Sequence, residues 1–269
     1  MALRNLREIL LLEFNAEITR ILNNAYQGAD LTRRRQASFD ALNPSPGDTI
    51  IDIGCGNGLL TAELARAVGP TGKIIGVDPS EAMLKAGIDR CSDYENVAFS
   101  KGFANSLPIA DGTAEKAISV QVFEYIEDVG GAIDEALRCL RPGGRMVISD
   151  LHFGSLIWYS DRPERMSKMV SSWDQHFVSG TLPERLPGIL KAKGQHVEVL
   201  LHVTLSDHEL RPDGIAIMMM HLMRQYAIAN QHVEEQEAQS WFAEQQTLSD
   251  EGRFFFSITQ FIVVARKSA

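Results

Sequence analysis

The chain has 269 residues, 45% of them apolar and 23% charged, which excludes a disordered or collagen-like polymer. Its 26 Lys and Arg against 35 Asp and Glu leave a formal charge of −9. That balance argues against a nucleic-acid partner, because such binders carry net positive charge to displace counterions. Cys55, Cys91 and Cys139 are too few and too widely spaced for a disulfide framework or a zinc pattern, so a reducing, cytoplasmic location with no metal site is expected.

Residues 1–42 read as N-terminal helices, with Leu6, Ile9, Leu10, Phe14, Ile18 and Ile21 near 3.6 spacing. Asn43-Pro-Ser-Pro-Gly-Asp48 breaks them. A short apolar strand is predicted over 49–53, a helix over 59–68 closed by Gly69 and Pro70, and a second strand over 73–77. Ser80 is placed to cap a helix containing Met83 and Leu84. Strands follow over 96–100 and from 117 to 120, then a helix with Ile133, Ala136, Leu137 and Leu140 on one face, then a fifth strand over 145–150. Strands alternating with helices predict an α/β fold, a mostly parallel doubly wound sheet covered on both faces.

Beyond Asp150 the rhythm changes. Residues 151–195 read as helical pieces rich in aromatics and Met, 196–205 as a strand, 214–246 as helical and 254–265 as a last strand. The helix over 215–228 is apolar nearly all round, which predicts burial in the core or in a homodimer interface. The apolar run over 214–223 is about half the length that spans a bilayer, so no membrane span is expected. The expected organisation is N-terminal helices over 1–42, a nucleotide-type core over 43–150, a helical lid with the sixth strand over 151–250, and a closing strand over 251–269.

The sequence Asp52-Ile53-Gly54-Cys55-Gly56-Asn57-Gly58 follows a strand and opens a helix. Glycines there permit a tight turn and let a ligand touch the backbone, and a helix N-terminus offers free N–H groups. The spacing is G-x-G-x-G; a dinucleotide fingerprint would place its last glycine where Leu59 stands, so a nicotinamide cofactor is disfavoured but stays open at this point. Asp78 lies at the end of the second strand, where a carboxylate can accept hydrogen bonds from ribose hydroxyls.

These residues, with GVDPSEAML, NSLPIADGTAEKAISVQVFEYIEDV and EALRCLRPGGRMVISD following in order, resemble class I S-adenosylmethionine-dependent methyltransferases, in particular the type 11, UbiE-like group. The resemblance covers about residues 45–150 and the closing strand. It implies a Rossmann-like, seven-stranded sheet whose last strand is antiparallel, and S-adenosylmethionine as cofactor. It also implies residue roles. Gly54, Gly56 and Gly58, with Cys55 and Asn57 between them, would pack against the methionine part, with Asp52 holding the loop. Asp78 would bind the ribose, and Pro79 and Met83 would flank the adenine. Phe103 and Ala104 would line its far edge, and Gln121 and Val122 would lie beside the methionine moiety and the transferred methyl. Many members of that family have Gly-Asp-Ala where this chain has Gly102-Phe103-Ala104, which shifts adenine recognition to stacking, to backbone contacts or to Asn105.

The reading for function is methyl transfer to a small apolar or aromatic acceptor, the lid excluding water. A hydroxyl or amine acceptor needs a general base, for which His152 and His176 are the candidates. Tyr26, Tyr125, Phe153, Trp158 and Trp173 are the candidate acceptor-binding residues. The alternatives are a protein or RNA methyltransferase, and a cofactor-binding protein without methyl transfer.

Overall fold

The computed structural model describes residues 16–268. Leu6, Ile9, Leu10 and Phe14 of the expected N-terminal helix lie outside the described residues; within 16–42 the chain forms α1 (Ala16–Gln27) and α2 (Ala29–Leu42). Strand β1 (Thr49–Ile53) has no polar face: four of its five residues are buried, Asp52 included, as suits a central strand of a parallel sheet. It pairs in parallel with β2 (Lys73–Asp78) on one side and β4 (Ala114–Val120) on the other, and β2 pairs in parallel with β3 (Val97–Lys101). Helices α3 (Leu59–Val68), α4 (Glu81–Arg90) and α5 (Val129–Cys139) make the crossovers. Ser80 caps α4 by accepting the Met83 N–H, and Asp128 caps α5 by accepting that of Gly131.

The remaining elements are β5 (Leu140–Trp158), α6 (Pro163–Asp174), α7 (Leu186–Ala192), β6 (His196–Asp207), α8 (Ile215–Ala229), α9 (Glu235–Asp250) and β7 (Phe256–Arg266). The sheet order is β3-β2-β1-β4-β5-β7-β6. The Gly143 amide donates to the Lys267 carbonyl at 3.0 Å and the Tyr159 amide to that of Phe255 at 2.9 Å, so β7 runs antiparallel to β5. The expected seven-stranded α/β sheet with an antiparallel last strand is present.

Two expectations need correction. Residues 151–158 are not helical but continue β5, so Phe153 and Trp158 stand on a strand rather than on a lid helix; pairing with β7 supplies hydrogen bonds that local sequence does not announce. Arg141–Gly144, expected only to stop a helix, lies inside β5 as an irregularity, the register stepping from Ala114↔Leu140 to Lys116↔Arg145.

The chain divides into two compact units. One comprises residues 35–151, 181–202 and 260–269 and contains the glycine loop. Its core is built on Ile51, Ile53, Ile75, Val77, Phe123, Ile133, Met146 and Ile148, with Leu186 and Leu190 of α7 against them. The other comprises, among the described residues, 16–34, 152–180 and 203–259. There Asp30 accepts the Ile215 N–H at 3.1 Å and the Arg211 guanidinium at 2.7 and 2.8 Å, tying α2 to the N-terminus of α8. Met219, Met220, Met223 and Tyr226 of α8 and Trp241 of α9 are buried. No helix among the described residues is long and apolar enough to cross a membrane.

Candidate functional site

The glycine loop is held from below by β2. The Gly54 and Cys55 amides both donate to the Val77 carbonyl, at 2.7 and 3.1 Å. Gly54, Gly56 and Gly58 all have positive φ, 71°, 52° and 76°, a region glycine enters without a steric penalty. Their surroundings differ. A Cβ on Gly54 would lie 2.3 Å from Val122 Cγ2, and one on Gly58 would lie 3.0 Å from Gly87 Cα. A Cβ on Gly56 would meet nothing within 4 Å. Gly54 and Gly58 therefore serve close packing within the protein, and the open face of the loop is at Gly56. Gly58 ends the loop as the N-cap of α3 without a side-chain cap; that terminus carries the positive end of the helix dipole. The Asn57 carbonyl accepts from Arg90 Nε at 2.8 Å, which fixes the loop's outer edge.

Two buried carboxylates frame the loop. Asp78 accepts the Gly56 N–H through Oδ2 at 3.0 Å and the Ser80 N–H through Oδ1 at 2.8 Å. Each oxygen keeps a further lone pair for a hydroxyl donor. Burial raises the Asp78 carboxyl above the usual carboxylate range, against the two amide bonds that lower it. Asp52 accepts the Thr61 hydroxyl at 2.6 Å. Burial lifts its carboxyl to about 7, opposed by the Thr61 bond and assisted by the charge of Asp78. Burial and the same two acids push the Cys55 thiol far above its ordinary range, so it is inert.

Beyond β2 and β3 the apolar surface is open. Met83 is 41% and Phe103 45% exposed, large values for such side chains. The Gly102 amide donates to the Asp78 carbonyl at 3.3 Å, which places Phe103 one residue from the end of β2. Ala104 is half-buried and Asn105 exposed. The following loop hangs on Arg138 of α5, which donates to the Leu107 and Ile109 carbonyls and pairs with Asp111 and Glu135.

At the end of β4 the chain turns sharply. Gln121 has φ +62°, and its side chain donates to Glu124 Oε1 at 2.5 Å. Phe123–Tyr125 form a single 3-10 turn. The Gln121 amide donates to the Ser149 carbonyl at 2.8 Å and the Val122 amide to Asp150 Oδ1 at 2.9 Å. The sequence pattern does not single out Asp150 as a site residue: it lies inside β5, and only the fold brings it to the turn after β4.

The candidate base and acceptor residues, Tyr125 excepted, belong to the other unit. His176 stacks on Trp173 at 4.5 Å and meets Phe177 and Tyr226 edge-on. Burial lowers its imidazole to about 4, which makes it a weak base at neutral pH. The Trp173 indole is buried in the same cluster, and Phe153 stacks on Phe177 at 4.3 Å. Trp158 donates through Nε1 to Gln245 Oε1 at 3.0 Å and packs edge-on against Trp241 and Phe256. It lines an open, largely apolar groove of about 480 Å³ with Ile157, Tyr159, Met166 and Phe255. His152 is half-buried on β5, and Tyr26 lies on α1.

Residues 44–246 match a family model described as a methyltransferase domain. An uncharacterised 37.1 kDa protein in transposon TN4556 of Streptomyces fradiae is 28% identical over 235 residues, 86% of this chain and 66% of that protein. A demethylmenaquinone methyltransferase of Symbiobacterium thermophilum is 38% identical over 105 residues, 38% of this chain and 42% of that enzyme. The chain thus spans less than two thirds of these curated relatives. In fold it is similar to the YcgJ protein of Bacillus subtilis, with a TM-score of 0.61 at 18% identity over 88% of this chain and 99% of that one.

Proposed function

Because the chain belongs to the methyltransferase-domain family, we propose that it binds S-adenosylmethionine and transfers the methyl group to a small, apolar or aromatic acceptor. The observation that carries the cofactor reading is the pairing of the open face at Gly56 with the Asp78 carboxylate, which is bonded to that same glycine's amide. A sulfonium nucleoside fits this cradle: backbone with no side chain in its way, a carboxylate with lone pairs left for the ribose, and apolar side chains at Met83 and Phe103 for the adenine. Pro79, Ala104 and Asn105 complete that edge. Gln121 and Val122 would flank the methionine part, with Cys55, Asn57 and Gly58 shaping the loop and Asp52 tying it to α3 through Thr61.

When bound, S-adenosylmethionine supplies an electrophilic methyl group for an in-line displacement. The protein's part is then orientation and exclusion of water. The acceptor class rests on the open, largely apolar groove lined by Trp158, Tyr159, Met166 and Phe255, side chains suited to apolar ligands, and on a relative named for demethylmenaquinone. For a hydroxyl or amine acceptor, the His152 imidazole is the proposed base in preference to His176, whose low basicity suits it to packing.

The test is mass spectrometry of the denatured protein for co-purified S-adenosylmethionine or S-adenosylhomocysteine, followed by calorimetric titration of both and of NADH. Binding of the sulfur nucleotides, lost in Asp78→Ala, is expected. Binding of NADH alone, or of none of them, overturns the reading.

A further inference from the structure

Asp150 ends the run RMVISD midway along β5 and is 1% exposed. A carboxylate is costly to bury unless it is bonded, and here Oδ1 accepts the Val122 N–H at 2.9 Å across 28 residues of chain. The preceding amide, that of Gln121, is taken by the Ser149 carbonyl at 2.8 Å. Two successive residues of β5 therefore hold two successive amides of the turn after β4. That turn is strained: Gln121, which has a side chain, sits at φ +62°, a conformation that persists only where its surroundings impose it. What the turn delivers is Val122, whose Cγ2 lies where a Cβ of Gly54 would come within 2.3 Å. Val122 is thus the contact by which the β4 turn bears on the glycine loop, and Asp150 is what holds its backbone in place.

We infer that Asp150 is a positioning residue for the cofactor loop: its carboxylate clamps the Val122 amide, keeps Gln121 in its left-handed conformation and thereby seats Val122 on Gly54. The inference rests on the cofactor reading above for its functional consequence, but the clamp itself stands on the hydrogen bonds. Asp150 acts on the loop through Val122.

The test uses the full chain with Asp150→Leu, which keeps the branching and removes the acceptor, and Asp150→Asn, which keeps a neutral one. Three quantities are read: the melting temperature, hydrogen exchange of the Val122 amide, and the dissociation constant for S-adenosylhomocysteine. The expected result is a graded series in which Val122 exchange accelerates and affinity falls together, about tenfold or more for Leu and a few-fold for Asn, in proteins that still melt cooperatively. If Asp150→Leu does not fold, Asp150→Asn decides. A folded variant whose Val122 amide loses protection while affinity stays within twofold of the parent overturns the positioning role. Unchanged Val122 exchange in a folded variant overturns the clamp. Failure of the parent protein to bind S-adenosylhomocysteine removes the cofactor reading and the positioning role with it, while the exchange data still judge the clamp.

Discussion

The three loop glycines share a backbone conformation but not a neighbourhood, and substituting two of them should separate stability from binding. Gly56→Ala places a methyl where nothing lies within 4 Å. Its cost to folding is the left-handed conformation alone, about 1–2 kcal/mol. Gly54→Ala bears the same cost and also drives its Cβ to 2.3 Å from Val122 Cγ2. Val has little rotamer freedom with which to yield, and overpacking of this kind adds about 1–3 kcal/mol. At about 2–4 °C per kcal/mol for a chain of this size, Gly56→Ala should lower the melting temperature by about 2–8 °C and Gly54→Ala by about 4–20 °C. Binding should be ordered differently per degree lost. The Gly56 methyl occupies the space assigned to the cofactor, so Gly56→Ala should weaken S-adenosylhomocysteine at least tenfold, about 1.4 kcal/mol, despite its mild thermal effect. Differential scanning fluorimetry and calorimetric titration read the two quantities. Gly56→Ala binding within twofold of the parent would show that the open face is not where the nucleotide lies. Gly54→Ala melting no lower than Gly56→Ala would refute the packing argument.

Other expectations concern charge and burial. The Asp52 carboxyl is raised to about 7, so the folded state holds a proton that the unfolded state has released. The stability this contributes is complete below the ordinary carboxylate range and lost as the pH rises to about 7. Asp52→Asn should therefore flatten the fall in melting temperature between pH 4 and 7, and an unchanged slope would contradict the assignment. His176 has the opposite sign. Its imidazole is lowered to about 4, so its contribution is present above about 6.5 and lost as the pH falls towards 4. His176→Phe keeps an aromatic ring against Trp173 and should melt higher than the parent at pH 5 relative to pH 7.5; equal acid sensitivity would sink the idea. Trp158→Phe removes the donor to Gln245 Oε1 and leaves a buried acceptor unpaired, which should cost about 1–3 kcal/mol, visible as a lower denaturant midpoint.

Much of this was legible in the sequence because it is local. The strand at 49–53, the glycine loop, the Ser80 cap and Asp78 at a strand end follow from apolar runs, turn residues and spacing that act within a few positions of one another. The parts that were not legible depend on distant partners. Residues 151–158, LHFGSLIW, read as helical because they show no strict alternation of apolar and polar residues; the strand exists because β7 pairs with it. The Gln121 conformation has no signature in a residue type that ordinarily avoids it, and its cause, Ser149 and Asp150, is some thirty positions away. The different duties of Gly54 and Gly56 are likewise invisible, since only the fold brings Val122 over one and not the other.

The strand order carries a consequence for biosynthesis. β7 lies between β5 and β6 in the sheet, yet it follows β6 in the chain with α8 and α9 intervening. A nascent chain emerging from the ribosome therefore presents β6 before its neighbour exists. Leu200 and Leu201, 52% and 42% exposed even in the finished fold, sit on that strand while the edge that β7 will cover awaits its hydrogen bonds. Unpaired apolar strands of this kind invite association with other chains. The sheet can close only when residues 256–266 have been made and inserted. Slowing translation across α8 and α9 should prolong that interval, and the yield of soluble protein should depend on how many holdase chaperones are present to cover β6 meanwhile.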